Sequence, residues 1–167
     1  VPLDTIPVRE PQRSIGLISG IALTSDKLEA IMCLTLIVED NATFRQSLRE
    51  LLSVRFPFMS IEEAVDGKEA LSKVNTSVPD LIFMDIKLPG TNGLELTKKI
   101  KANHEKIEVI VLTSYDLPEY REAAYRSGAS YFFTKGTATS DEITMVVNSI
   151  LSGETLGMAG KERLSYA

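Results

Sequence analysis

The feature that most restricts how this chain can fold is a rhythm repeated five times from Cys33 onward: a short apolar run, then a longer segment with apolar residues at helical spacing. Runs of this length suit strands, and strands covered by helices on both faces lose the strict alternation of half-exposed ones. The pattern predicts strands over 33–38, 60–65, 80–84, 109–112 and 129–133. Four are almost continuously apolar, whereas 60–65 carries Glu62 and Glu63 and reads as an edge strand. Alternating strands and helices of this kind build an α/β fold, here a doubly wound five-stranded parallel sheet.

The intervening helices have readable starts. Asn41, Asp66, Asn92 and Ser140 stand before helices expected over 42–55, 67–74, 93–102 and 141–151, and Pro118 opens one over 118–127. A side-chain oxygen at such a position accepts a hydrogen bond from a first-turn N–H, and proline presets the φ of the first helical residue. In the first helix Phe44, Leu48, Leu51 and Leu52 share a face that would pack on the sheet, leaving Arg45, Arg49 and Glu50 in solvent. Gly128 is the expected stop of the fourth helix.

Residues 32–152 thus form one folded unit, with 1–31 an N-terminal tail or upstream extension and 153–167 a C-terminal tail or truncated linker. Prolines at positions 2, 7 and 11 support a tail, and Met32 stands as a natural start just before the first strand. The run 15–23 follows Arg9 and Arg13 and has a faint likeness to a secretory signal, but Asp4 and Glu10 mix with those charges. Broken by Gly16, Ser19 and Gly20, it falls short of the ~18 apolar residues of a membrane span.

Composition removes other classes. With 18 Lys+Arg against 23 Asp+Glu, the net charge of −5 excludes a dominant basic surface, so no direct nucleic-acid binding is expected. Cys33 is the only cysteine and His104 the only histidine, which excludes internal disulfides and a His/Cys zinc cluster and suits a cytoplasmic, reducing compartment. His104 reads as exposed and Cys33 as a small buried residue.

In a parallel α/β sheet, ligands bind outside the carboxyl ends of the strands. Those ends carry Glu39 and Asp40 (first), Asp85 (third), Thr113 and Ser114 (fourth) and Lys135 (fifth). Any one alone reads as a turn, a cap or a solvated charge; together they gather carboxylates, hydroxyls and an ammonium at one place. Carboxylates a few ångströms apart repel by about 4 kcal/mol per unscreened pair at an effective dielectric of 20, so a cation is needed. All-oxygen ligation by carboxylates and water is the Mg²⁺ pattern, whereas zinc wants nitrogen or sulfur. Mg²⁺ and Lys135 around one carboxylate describe a phosphoryl-transfer site, with Asp85 the candidate nucleophile.

From about Leu34 to Leu151 the chain resembles the receiver domain of two-component response regulators, a flavodoxin-like (βα)5 fold. The resemblance rests on the acidic pair Glu39-Asp40, then Asp85, Thr113 and Lys135 at successive spacings of 45, 28 and 22 residues, and on the loop DIKLPGTNG from Asp85 to Gly93. It implies that Asp85 is the phosphoacceptor, taking phosphate from a sensor histidine kinase or phosphotransfer protein. Asp40, Asp85 and the Lys87 carbonyl would hold Mg²⁺, Glu39 assisting through water. Thr113 would bond the phosphoryl oxygens beside the small Ser114, and Lys135 would pair with Asp85 or its phosphate. Phe132, three before the lysine, would be the aromatic that turns inward, without the hydroxyl a tyrosine brings. Lys87 and Tyr115 take the positions that tune dephosphorylation.

Further expectations follow from the resemblance. Gly136 stands where many receivers have proline; together with the linker-like ILSGETL (150–156), it suggests a receiver separated from a DNA-binding output domain. Glu119, Tyr120, Arg121, Glu122, Tyr125 and Arg126 lie toward the face of fourth helix, fifth strand and fifth helix that the family uses for homodimerisation or output. The expected role is a phosphorylation-driven signalling switch, a relay rather than an enzyme. The alternatives are a pseudo-receiver that binds partners without phosphorylation and a Mg²⁺-dependent aspartyl-phosphate phosphatase; the latter needs a D-x-D run where this chain reads Glu39-Asp40-Asn41.

Overall fold

Each of the five apolar runs forms a strand of one parallel sheet: β1 (Leu34–Val38), β2 (Ser60–Ala64), β3 (Leu81–Met84), β4 (Glu108–Thr113) and β5 (Tyr131–Thr134). The helices between and after them are α1 (Ala42–Arg55), α2 (Gly67–Ser77), α3 (Gly93–Asn103), α4 (Pro118–Arg126) and α5 (Ser140–Ser152). The structure is a computed structural model that describes residues 33–153, with the backbone of 17–18 and 21–22. The chain divides at Met32/Cys33 into two units. In the first, Leu17–Ile18 pairs antiparallel with Ile21–Ala22. The other residues expected as tails, with the natural start at Met32 and the signal-like side chains of 15–23, lie outside the described residues. Among the described residues no helix is long and apolar enough to cross a membrane.

The sheet order is β2-β1-β3-β4-β5. The chain steps from β1 to β2 on one side, then crosses back to place β3 on the other side of β1. This reversal opens a crevice where β1 and β3 both end, the switch point at which open α/β sheets bind ligands. Register sharpens it: Val38 lies opposite Met84, so Glu39-Asp40 and Asp85 leave the sheet side by side. The Asp85 N–H donates to the Val38 carbonyl at 3.0 Å, and that of Lys135 to the Thr113 carbonyl at 2.8 Å.

Because successive strand residues face opposite ways, the sheet has two apolar faces. Ile37, Phe83, Ile110 and Phe133 pack with Leu48 and Leu52 of α1 and Val146 and Val147 of α5. Leu36, Val38, Ile82 and Met84 pack with Val74 of α2 and Leu96 and Ile100 of α3. Both faces are covered, which explains the near-continuous apolar runs.

Several local expectations shift. Asp80 lies outside β3 because its carboxylate accepts from the Leu34 N–H at 2.8 Å, tying down the start of β1. The fifth helix is capped by Thr139 rather than Ser140: Thr139 Oγ1 accepts from the Glu142 N–H at 3.2 Å while Glu142 accepts from the Thr139 N–H at 2.7 Å. That reciprocal pair satisfies two groups, which Ser140 could not match without an acidic partner three residues on. Helix α2 continues three residues past the expected end and stops where Val78 takes φ 45°.

Arg45 is the largest departure. Expected in solvent, its side chain is only 15% exposed and donates to Glu63 of β2 at 3.0 Å. Arg49 donates to the other Glu63 oxygen at 2.9 Å. Burial alone would raise the Glu63 pKa, but the two guanidinium groups outweigh it and hold the carboxyl below its ordinary 4.5. A carboxylate with a lowered folded-state pKa stabilises the fold above its unfolded pKa and loses that contribution as pH falls through the folded value. Glu63→Gln is therefore expected to destabilise the protein by about 1 kcal/mol at pH 7. In urea titrations the difference from wild type should vanish as pH falls well below 4.5; a difference independent of pH would contradict this origin.

Candidate functional site

Glu39 and Asp40 stand where β1 gives way to α1. The turn is tight because Asn41 caps the helix, its Oδ1 accepting from the Phe44 N–H at 2.9 Å, while Glu39 Oε1 accepts from the Asn41 N–H at 3.1 Å. Glu39 is 3% exposed and Asp85, beyond β3, 7% exposed, whereas Asp40 faces solvent. One oxygen from each of the three carboxylates lies within 4.8 Å of the others. Lys135, just beyond β5, places Nζ 2.5 Å from Glu39 Oε2 and 2.9 Å from Asp85 Oδ2, and 4.7 Å from the centre of the Phe44 ring.

One ammonium does not balance this set. At 4.8 Å and an effective dielectric of 20, two unscreened charges repel by about 3.5 kcal/mol. Burial pushes the Glu39 pKa up, aided by Asp85, and Lys135 only partly opposes it. For Lys135, burial acts to lower the pKa, but hydrogen bonds and charge from Glu39 and Asp85 outweigh it and leave it raised. Glu39 is raised chiefly by desolvation, and Lys135 by the two carboxylates that share it. Asp85 Oδ1 is also fully buried and has no hydrogen-bond partner. An orphaned carboxylate oxygen among oxygen-only donors fits a hard divalent cation.

These groups border a cleft of about 370 Å³ whose walls include Glu39, Asp40, Asp85, Lys87, Ser114 and Lys135. Ser114 is exposed on it; Thr113 is fully buried and outside its lining, with Oγ1 accepting from the Tyr115 N–H at 3.4 Å. Lys87 lies on the exposed rim, Nζ 5.8 Å from the Tyr115 ring centre, and a hydrogen bond with Tyr115 raises its pKa. Phe132 is already inward at 2% exposed, packed among Ile86, Leu94, Val111, Ala124 and Ala129, with the Arg121 guanidinium 4.9 Å from its ring centre.

Two contributors escaped the sequence reading. Phe44 packs against the core as its stripe predicts and also places its ring beside Lys135. Arg45 donates from Nη1 to the Glu39 carbonyl at 2.8 Å, behind the acidic pair. No local signal reveals either, because both depend on how α1 lies across β1. His104 caps the end of α3 and Cys33 is buried beside Thr35, both apart from the cleft.

A family model described as the response regulator receiver domain matches residues 35–148. The chain is 32% identical over 120 residues to the oxygen regulatory protein NreC of Staphylococcus haemolyticus, covering 71% of this chain and 55% of that protein. It is 28% identical over 123 residues to the response regulator GacA of Pseudomonas viridiflava, covering 74% and 57%. It therefore spans about half the length of the curated relatives it matches. Among solved structures, a LuxR-family two-component response regulator from Aurantimonas sp. SI85-9A1 superposes with a TM-score of 0.68 at 26% identity, over 80% of this chain and 99% of that one. A LuxR-family DNA-binding response regulator from Staphylococcus aureus gives 0.66 at 25%, over 71% and 98%. With the parallel sheet in the order β2-β1-β3-β4-β5, an acidic cleft at its switch point and this match along the folded unit, the chain belongs to the response regulator receiver domain family.

Proposed function

We propose that Asp85 is the phosphoacceptor of this receiver, taking a phosphoryl group from a phosphohistidine of a sensor histidine kinase or phosphotransfer protein in the cytoplasm. The observation that carries this reading is the unequal state of its two oxygens: Lys135 holds Oδ2 at 2.9 Å, while Oδ1 is buried and unpartnered beside the open cleft. In the transfer, an Asp85 oxygen bonds to phosphorus as the P–N bond to the kinase imidazole breaks, and the imidazole keeps the bonding electron pair.

Asp40, Asp85 and the Lys87 carbonyl would hold Mg²⁺, with Glu39 assisting through water. When bound, that ion supplies the positive charge the cleft lacks and neutralises the equatorial phosphoryl oxygens. Lys135 neutralises the same charge from the β5 side, and Ser114 leaves space beside the acceptor. Thr113, whose Oγ1 accepts from the Tyr115 N–H at 3.4 Å, would donate a hydrogen bond from that hydroxyl to a phosphoryl oxygen. Phe132 packs against Ala124 of α4, with the Arg121 guanidinium of the same helix over its ring.

The output surface in this reading is the face of α4, β5 and α5; Leu117 and Tyr125 at α4 and Met145 of α5 are exposed large apolar groups. A homodimer or a DNA-binding output domain would use it, in a role in which the receiver is a phosphorylated relay rather than an enzyme. Moving such a switch from 1:99 to 99:1 takes about 5.5 kcal/mol of differential stabilisation; a charge-assisted bond newly made by Thr113 supplies part of it, whereas Lys135 is already paired with Glu39 and Asp85.

Incubation with acetyl phosphate and Mg²⁺, resolved on a phosphate-affinity gel after rapid quenching, tests the reading. The expected result is a shifted band that disappears with EDTA; no labelling and no beryllofluoride binding would favour a pseudo-receiver. Asp40→Asn is expected to weaken Mg²⁺ binding about tenfold by removing a charged ligand. Unchanged affinity in a calorimetric titration would remove Asp40 from the ligand set.

A further inference from the structure

Arg45 makes a bridge that the family resemblance did not call for. Its Nε donates to Glu63 Oε2 on the edge strand β2 at 3.0 Å, while Nη1 donates to the Glu39 carbonyl at 2.8 Å and reaches the Asp40 carbonyl at 3.4 Å. Glu63 is itself held: Arg49 donates to its other carboxylate oxygen at 2.9 Å, and Lys73 donates to its main-chain carbonyl. One planar guanidinium therefore ties a braced edge-strand carboxylate to the two peptide groups that carry the acidic pair.

The placement matters because Asp40 is exposed, so the surrounding core does not fix its carboxylate as it does that of Asp85. The position of that carboxylate follows from the main chain at 39–40. Three carboxylates crowded within 4.8 Å push this loop away from Asp85. Hydrogen bonds to both carbonyls oppose rotation of the peptide planes, and a rigid fork does this better than a flexible ammonium.

We propose that Arg45, oriented by Glu63, is a positioning residue that preorganises the Glu39-Asp40 main chain for the divalent cation. The inference rests on the reading that this cleft binds Mg²⁺, and it adds a residue that ligates nothing. It also reverses the sign expected from charge alone. A cation beside a cation site repels the incoming ion, so if Arg45 acted only by its charge, Arg45→Ala would tighten Mg²⁺ binding. Positioning requires the opposite.

The test is calorimetric titration of Mg²⁺ into the full chain, with stability measured separately in urea. Arg45→Ala is expected to weaken Mg²⁺ binding about tenfold, in the range found when partners that orient metal ligands are lost. Arg45→Lys, which keeps the charge but not the fork, is expected to weaken it as well, and Glu63→Gln to weaken it by a smaller factor. Arg49→Ala removes only one brace of Glu63, without touching the 39–40 carbonyls, and should weaken binding by a clearly smaller factor than the Arg45 variants, although it too loses stability. Should Arg45→Ala fail to fold, Arg45→Lys and Glu63→Gln carry the same comparison. Wild-type affinity in the Arg45 variants, tighter binding, or an equal loss in Arg49→Ala would overturn the positioning role. A wild-type chain that binds no Mg²⁺ would overturn the cation reading beneath it and this inference with it.

Discussion

Asp85→Asn is expected to lose acetyl-phosphate labelling by at least about 100-fold while folding as stably as wild type. The proposed nucleophile disappears, because a neutral amide oxygen does not attack phosphorus as a carboxylate does. The fold is expected to survive for an electrostatic reason. Asn matches Asp in size, and the change removes one of the two buried negative charges facing Lys135, leaving a Glu39–Lys135 pair in balance. The melting temperature should therefore stay level or rise. Two measurements read this prediction, a phosphate-affinity gel and a thermal melt. A Mg²⁺-dependent band retained in Asp85→Asn would move the acceptor to another carboxylate, with Asp40 the nearest exposed candidate. Loss of the band together with loss of the fold would not distinguish chemistry from structure, so the melt is part of the prediction.

Gly93→Ala is the second large effect, here on stability. A Cβ built at position 93 lands 1.9 Å from the Asp85 carbonyl oxygen and 2.9 Å from its carbonyl carbon. Both are main-chain atoms, so no side-chain rotation relieves the clash. Gly93 is also anchored, its N–H donating to the Ile86 carbonyl at 2.7 Å as α3 begins. To admit a methyl group, either α3 moves off the sheet, disturbing Leu96 and Ile100, or the chain at Asp85 shifts. We expect a loss of about 3 kcal/mol or more in urea unfolding, at the upper end of overpacking costs. Labelling of the folded fraction should fall too, because the displaced peptide carries the proposed acceptor. Gly90 provides the contrast: at φ +69° an added Cβ meets nothing within 4 Å, so Gly90→Ala carries only left-handed strain of about 1 kcal/mol. Equal losses at the two positions would show that the close approach at Gly93 is not the cause.

The two predictions depend on different kinds of knowledge. Asp85 was recognisable as one of a set of strand-end residues with Glu39-Asp40, Thr113 and Lys135, because strand ends are where a parallel sheet exposes chemistry. Gly93 was legible only as the end of the loop DIKLPGTNG and the first residue of the third helix; its near-contact with the Asp85 carbonyl exists because α3 returns against β3. The cap at the start of α5 shows the same limit at shorter range. Thr139 and Ser140 are both good caps, and the choice falls to Thr139 because Glu142 then stands at the distance that closes the reciprocal pair. For Thr113 and Ser114, adjacent hydroxyls at one strand end, residue type does not reveal which is buried and which lines the cleft; the pleat of β4 decides.

Helical and strand periods, caps and turn residues act over a few neighbouring positions, so they are written in the local order of side chains. From them come the five βα units, the edge character of the strand bearing Glu62 and Glu63, and the acidic and basic residues at the strand ends. The order of strands is a long-range property. It sets β1 beside β3 and brings Lys135 to within 2.9 Å of a carboxylate 50 residues earlier in the chain. Burial belongs to that level as well: it raises the Glu39 pKa and leaves Asp85 Oδ1 without a partner. It also turns Arg45 from an expected solvent-facing residue into a bridge between the edge strand and the acidic loop. Desolvation and charge balance depend on the distances between elements, and those distances exist only once the sheet has packed.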